Sequence, residues 1–184
     1  SVSYEGEGER LIFDRRDNVW ANRDAYIFSV NFSDGLTAEV RVNAEFGSAD
    51  LAMQEAVYYA LASGRLPTVL RESMSTISIN AGEESYGGGS GDLLIHTDTT
   101  PTYLSLGSLD EVLVHEAAHI SLDSTFGSDP HWLAAQMADD AFVSEYAYLN
   151  PAREDFAESF LFYLVSEIYP DQITNADLQT VMEG

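Results

Sequence analysis

Two imidazoles and a carboxylate fall within one short run of residues 109–123, LDEVLVHEAAHISLD, as His115-Glu116-Ala117-Ala118-His119. On an α-helix, side chains four apart project from one face, so both rings can reach the same metal ion, with Glu116 beside the ligand set. This is the HExxH spacing of a zinc hydrolase. A hydrolytic zinc ion takes three protein donors and keeps a fourth position for water, whose pKa it lowers from about 15.7 to about 7. A carboxylate next to that water accepts its proton and passes it to the leaving amine, the role Glu116 would take. The bland alternative is a pair of core histidines with ordinary hydrogen bonds, since so short a motif also arises by chance.

The local context favours the chemistry. Ser108 with Glu111 makes a capping box at the start of a helix, and Asp110 and Glu111 suit the positive end of its dipole. Val112, Leu113, Val114, Ala117, Ala118, Ile120 and Leu122 leave the rest of the helix apolar, which predicts burial. Titratable groups in such a helix are costly unless a metal or hydrogen bonds satisfy them.

The remaining elements must position this helix. Residues 1–9, SVSYEGEGE, read as a loose terminus, and RLIFDRRDNVW as a short strand. Residues 22–43 hold AYIFSVNF and LTAEVRVN joined by Ser-Asp-Gly, a β-hairpin signature. Residues 49–64 predict a backing helix with Leu51, Ala56, Val57, Tyr59, Ala60 and Leu61 against the sheet. Residues 74–80, MSTISIN, predict another strand. The glycine-rich stretch 83–92 lacks the GKS or GKT of a phosphate loop and predicts a flexible turn, leading to an edge strand over 93–97 on the rim of the site. Such an edge could bind an extended peptide by strand addition. His96 lies on it and is left out of the metal set, because a lone strand histidine is more often structural. Asp129-Pro130 opens a helix over 131–145, with Trp132, Met137, Phe142 and Val143 as core, and Asn150-Pro151 opens another over 152–168. The tail after Tyr169-Pro170 predicts one short further helix.

Composition bounds the class. A chain of 184 residues predicts a single domain over residues 1–184. It has no cysteine, so any metal is held by His, Asp or Glu. Asp and Glu number 31 against 8 basic residues, all Arg, and the net charge of −23 argues against nucleic acid or an anionic membrane as partner. No apolar run is long enough for a membrane span. The charge suits a secreted, periplasmic or extracellular protein, and a start at Ser1 suits a mature or trimmed product.

Two histidines do not complete a catalytic zinc site. A metzincin would place Gly at 122 and His at 125; Leu122 and Thr125 stand there instead. The segment REDFAESF supplies the better donor. Glu154 and Glu158 are four apart and share a helix face, so Glu154 could ligate zinc while Glu158 accepts the free N–H of a ligand histidine. The alternative is an exposed acidic stripe, to which Asp155 would belong.

HEAAH followed by EDFAES resembles the gluzincin metallopeptidases, with two His and one Glu on zinc, and among them the anthrax lethal factor-like group. The resemblance covers residues 115–160. It implies a zinc peptidase with His115, His119 and Glu154 on the metal, Glu116 as general base and Glu158 in support. It also implies a tyrosine before the ligand helix whose hydroxyl steadies the oxyanion; Tyr146 is favoured, with Tyr148 as the alternative. Apart from the resemblance, His131 could also donate to an oxyanion, and Asp123, one turn beyond His119, could support a ligand histidine. The fold expected is an α+β zincin: a twisted N-terminal mixed or antiparallel sheet with a backing helix and an active-site helix, then a mainly helical C-terminal half. The expected substrate is a peptide or protein. The rival functions are a binding or surface module with a structural metal, and hydrolysis of cell-wall peptide cross-links.

Overall fold

The computed structural model describes residues 1–168, and the chain divides into two compact units, Ser1–Ser121 and Leu122–Gly184. The helix expected in the tail lies outside the described residues. Among those described, no helix is long and apolar enough to cross a membrane.

The first unit is mixed α+β. Its strands are β1 (Val2–Asp14), β2 (Val19–Asn31), β3 (Thr37–Asn43), β4 (Thr76–Asn80), β5 (Gly87–Gly89) and β6 (Asp92–His96), in the sheet order β1-β2-β3-β4-β6-β5. The pairs β3–β4 and β4–β6 are parallel and the rest antiparallel. The hairpin expected over 22–43 is β2 and β3, with Gly35 in the left-handed region at the turn (φ 88°). A parallel partner cannot follow through a tight turn. The connection from β3 to β4 runs through α1 (Ala49–Gly64) and α2 (Thr68–Arg71).

Residues 2–9 are not loose. They form the first half of β1, which pairs with β2 from Val2↔Val30 to Asp14↔Val19, interrupted by a bulge between Tyr4 and Gly6. β2 offers a full-length ladder, and Glu5, Glu7 and Glu9 stay exposed on a strand that ends the sheet. Charges in that position also discourage pairing with a further strand.

Ser48 caps α1 by accepting the Leu51 N–H (3.3 Å). Its buried face is made of Ala52, Ala56, Tyr59 and Ala60, whereas Leu51 (51% exposed) and Leu61 (66%) point outward, against expectation. Small alanine side chains permit a helix to pack closely on a sheet, so the alanine-rich face can lie inward although the leucines are larger. The sheet interior holds Phe28, Val40, Val42, Ile77, Ile79, Leu93 and Ile95, all fully buried.

The glycine-rich stretch also departs from expectation. Gly87–Gly89 is a strand, and Ser90 (φ 51°) and Gly91 (φ 79°) form a two-residue turn with both φ positive, leading into β6. The edge of the sheet is therefore β5, while β6 lies between β4 and β5 and is buried along its whole length. Two helices follow, α3 (Thr100–Leu106) and α4 (Leu109–Ser121), and α4 packs on β5 and β6.

The second unit carries a π-helical turn at Asp123–Gly127, then α5 (Pro130–Ala138), α6 (Glu145–Leu149) and α7 (Asp155–Ile168). Asp129 caps α5 by accepting the His131 N–H (2.8 Å). The single helix expected over 131–145 is broken after Ala138, where Asp139 and Asp140 would stand at the negative end of the dipole, and Ser144 caps a fresh start at α6. Met137, expected in the core, is 86% exposed. Trp132 packs edge-on against Phe156, which stacks on Phe126 and Phe160.

Candidate metal centre

Helix α4 begins at Leu109 with Asp110 and Glu111 in its first turn and buries Leu113, Ala117, Ala118 and Ile120. The titratable groups His115, Glu116 and His119 are half-buried, the two histidines one turn apart. His115 and His119 meet with ring centroids 4.7 Å apart, planes at 80°, and their Nε2 atoms at 3.1 Å. One donor atom from each of His115, Glu116 and His119 lies within 4.8 Å of the others. Two nitrogens on one tetrahedral ion at the usual zinc–nitrogen length of about 2.0–2.1 Å stand about 3.3–3.4 Å apart. The observed 3.1 Å is close to that separation, so the imidazole pair fits a shared ion. It requires both Nε2 atoms to be unprotonated, with the ring protons on Nδ1.

Strand β5 fixes the backbone of this face. A β-carbon on Gly88 would collide with the Glu116 carbonyl oxygen and lie 2.7 Å from its carbon and 3.0 Å from its Cα. Only a glycine lets the strand rest on the helix at that point. Next along, the Tyr86 and Tyr103 rings meet edge to face at 5.0 Å, and the Tyr86 and Tyr59 hydroxyls each lie 2.6 Å from Thr100 Oγ1. Burial raises the Tyr103 phenol above its usual value, the Glu116 charge adds to that shift, and Arg15 opposes it. Gly88, Tyr103 and Arg15 were not singled out by sequence reasoning. A glycine inside a strand is a signal of close backbone approach; the other two residues carry no local signal.

His96 is fully buried at the end of β6, where its Nδ1 lies 3.0 Å from the Ala81 carbonyl oxygen and Nε2 has no hydrogen-bond partner. Burial lowers its pKa.

The remaining candidates lie in the second unit. Glu154 sits in the turn just before α7, donates its backbone N–H to Asn150 O (2.9 Å), and is only 4% exposed. Its carboxylate lies 3.2 Å from Arg153 Nε. Glu158, one turn later, is half-buried. Asp155 is buried and accepts from Gln136 Nε2 (2.8 Å), so this segment is not an exposed acidic stripe. Asp123 is half-buried at the start of the π-helical turn. Tyr146, Tyr148 and His131 are exposed.

No family model, no curated protein and no solved structure matches the chain.

Proposed function

We propose that the protein is a secreted zinc-dependent peptidase of the gluzincin type. The observation that carries this reading is the group on α4: two imidazole nitrogens 3.1 Å apart, with the Glu116 carboxylate in the same half-buried cluster. A cysteine-free chain leaves His, Asp and Glu as donors, and this is a donor set that suits zinc. When bound, the ion polarises a carbonyl and brings the pKa of a water molecule to about 7.

The chain's own groups then have distinct tasks. His115 and His119 would hold the ion through Nε2. The third donor is Glu154, a buried carboxylate with Glu158 one helical turn further on. Glu116 takes the proton of the attacking water and returns it to the leaving amine, a contribution of about 10²- to 10⁴-fold for a positioned acid–base group. The Tyr146 hydroxyl donates to the developing oxyanion, worth about 3–4 kcal/mol for one such donor.

Metal analysis of the purified protein together with Glu116→Gln tests the reading. The expected result is about one zinc per chain in both forms and a loss of peptide hydrolysis of at least about 10²-fold in the variant. Protein without stoichiometric zinc, or a variant as active as wild type, overturns it.

A further inference from the structure

Arg15 differs from every other arginine of this chain. The other seven stand in ion pairs of 2.6–3.3 Å with Asp or Glu, and Arg15 makes none among the described residues. In a protein with 31 acidic residues and 8 basic ones, a guanidinium that no carboxylate has captured is out of pattern. Arg15 is half-buried in the turn between β1 and β2, and among the described residues its one side-chain partner is Ser85, whose Oγ accepts from Nη1 at 2.8 Å. Its Nε is buried without a partner. A partly desolvated guanidinium with unmet donors is costly unless something brings them acceptors.

Its position says what that something is. Nη2 lies over Gly87, 2.7 Å from where a β-carbon would stand. Successive residues of a strand face opposite sides of a sheet, so Gly87 faces Arg15 while Gly88 faces Glu116 on α4. β5 is the last strand of the sheet and pairs only with β6 among the described residues, leaving its other edge free for strand addition. A peptide added there puts every second side chain on the Arg15 face and the alternate ones toward α4. With three glycines in β5, no strand side chain stands between the guanidinium and such a peptide.

We infer that Arg15 selects a carboxylate in the substrate, taken from an acidic side chain or from a peptide C-terminus, in charge-assisted hydrogen bonds to its unmet donors. This rests on the peptidase reading. The net charge of −23 repels acidic peptides at long range, but at physiological salt that field is screened beyond about 8 Å. The selection is therefore a contact effect that survives at physiological salt.

The test is a positional-scanning peptide library with Glu, Gln or Lys fixed at each position in turn, with free and amidated C-termini. It is digested by wild type, Arg15→Gln, Arg15→Lys and Arg15→Glu, and its binding to Glu116→Gln with and without Arg15→Gln is measured in parallel. Thermal unfolding of each variant checks that it is folded. The expected result is a preference for Glu over Gln at one position, or for a free C-terminus, of about tenfold. Arg15→Gln abolishes it, Arg15→Lys keeps its sign, and Arg15→Glu turns it toward Lys. Cleavage with no acidic preference, or with a preference unchanged in Arg15→Gln, overturns the inference and leaves the peptidase reading standing. Absence of cleavage with Arg15-dependent binding of Glu peptides retained overturns the peptidase reading alone. Absence of both overturns both.

Discussion

Gly88 rests directly on the backbone of Glu116: a β-carbon at position 88 would overlap the Glu116 carbonyl oxygen and stand 3.0 Å from its Cα. The edge strand and the helix bearing the histidine pair are thus held at a distance that one hydrogen atom permits and one methyl group does not. Gly88→Ala forces β5 or α4 to move, at a cost of about 1–3 kcal/mol for overpacking. In a chain of this size that lowers Tm by roughly 2–4 °C per kcal/mol. Gly89, in the same strand, has nothing within 4 Å of its missing β-carbon. Gly89→Ala is expected to leave Tm within about 2 °C of wild type, and calorimetry of the two variants side by side checks both.

Glu154→Ala and Glu158→Ala separate the two carboxylates proposed for the metal. Removing a ligand from a three-donor site is expected to abolish stoichiometric zinc, whereas removing a group that only orients a ligand weakens affinity about 10- to 100-fold. Competition with a chelator of known affinity distinguishes the two. Zinc retained by Glu154→Ala and lost by Glu158→Ala would reverse the assignment.

The pH dependence of stability follows from His96. Burial holds its folded pKa below the ordinary imidazole value of about 6.5, so the unfolded chain takes up a proton first as pH falls. The stability attached to a neutral His96 is complete above about pH 6.5 and is lost as pH drops from there toward the lowered folded value. Denaturant midpoints between pH 8 and about pH 5 are expected to fall in this window. A His96→Gln variant, which has nothing to titrate there, is expected to show a flatter profile. An equal slope in both proteins would remove His96 as its source.

Asp92 is expected to respond in the opposite sense. Its carboxyl is pushed up by burial, although Thr76 Oγ1 (2.5 Å) and Ser78 Oγ (2.9 Å) both donate to Oδ1. Its folded pKa is above the unfolded value, so this group works against stability once pH rises past about 3.9. Asp92→Asn keeps an Oδ1 acceptor for both hydroxyls and removes the buried charge. Its unfolding midpoint at pH 7 is expected to be equal to or higher than that of wild type, and a lower one would show that the carboxylate is needed in its charged form.

Local spacing is enough to read several parts of this protein. The four-residue interval between His115 and His119 puts both rings on one face of any α-helix, whatever surrounds it, and the structure brings their Nε2 atoms to 3.1 Å. Ser48 as a cap, and the Ser33-Asp34-Gly35 turn between β2 and β3, are likewise properties of a few adjacent residues. The remainder depends on partners distant in sequence. Residues 1–9 look like a loose acidic terminus until β2 supplies the ladder that they pair with from Val2 onward. Leu51 and Leu61 look like core until the burial of Ala52, Ala56, Tyr59 and Ala60 shows which face of α1 lies inward. The edge passes from β6 to β5 because three glycines need only backbone pairing to form a strand. Asp155 looks exposed until Gln136 and its burial are seen. The pairing of the two imidazoles beside a carboxylate is legible in the residues alone, because a helix converts spacing directly into a shared face. That Gly88 lies on Glu116, that the Arg15 guanidinium lies over Gly87, and which strand ends the sheet are set by the fold, because each is a contact between segments that no local periodicity encodes.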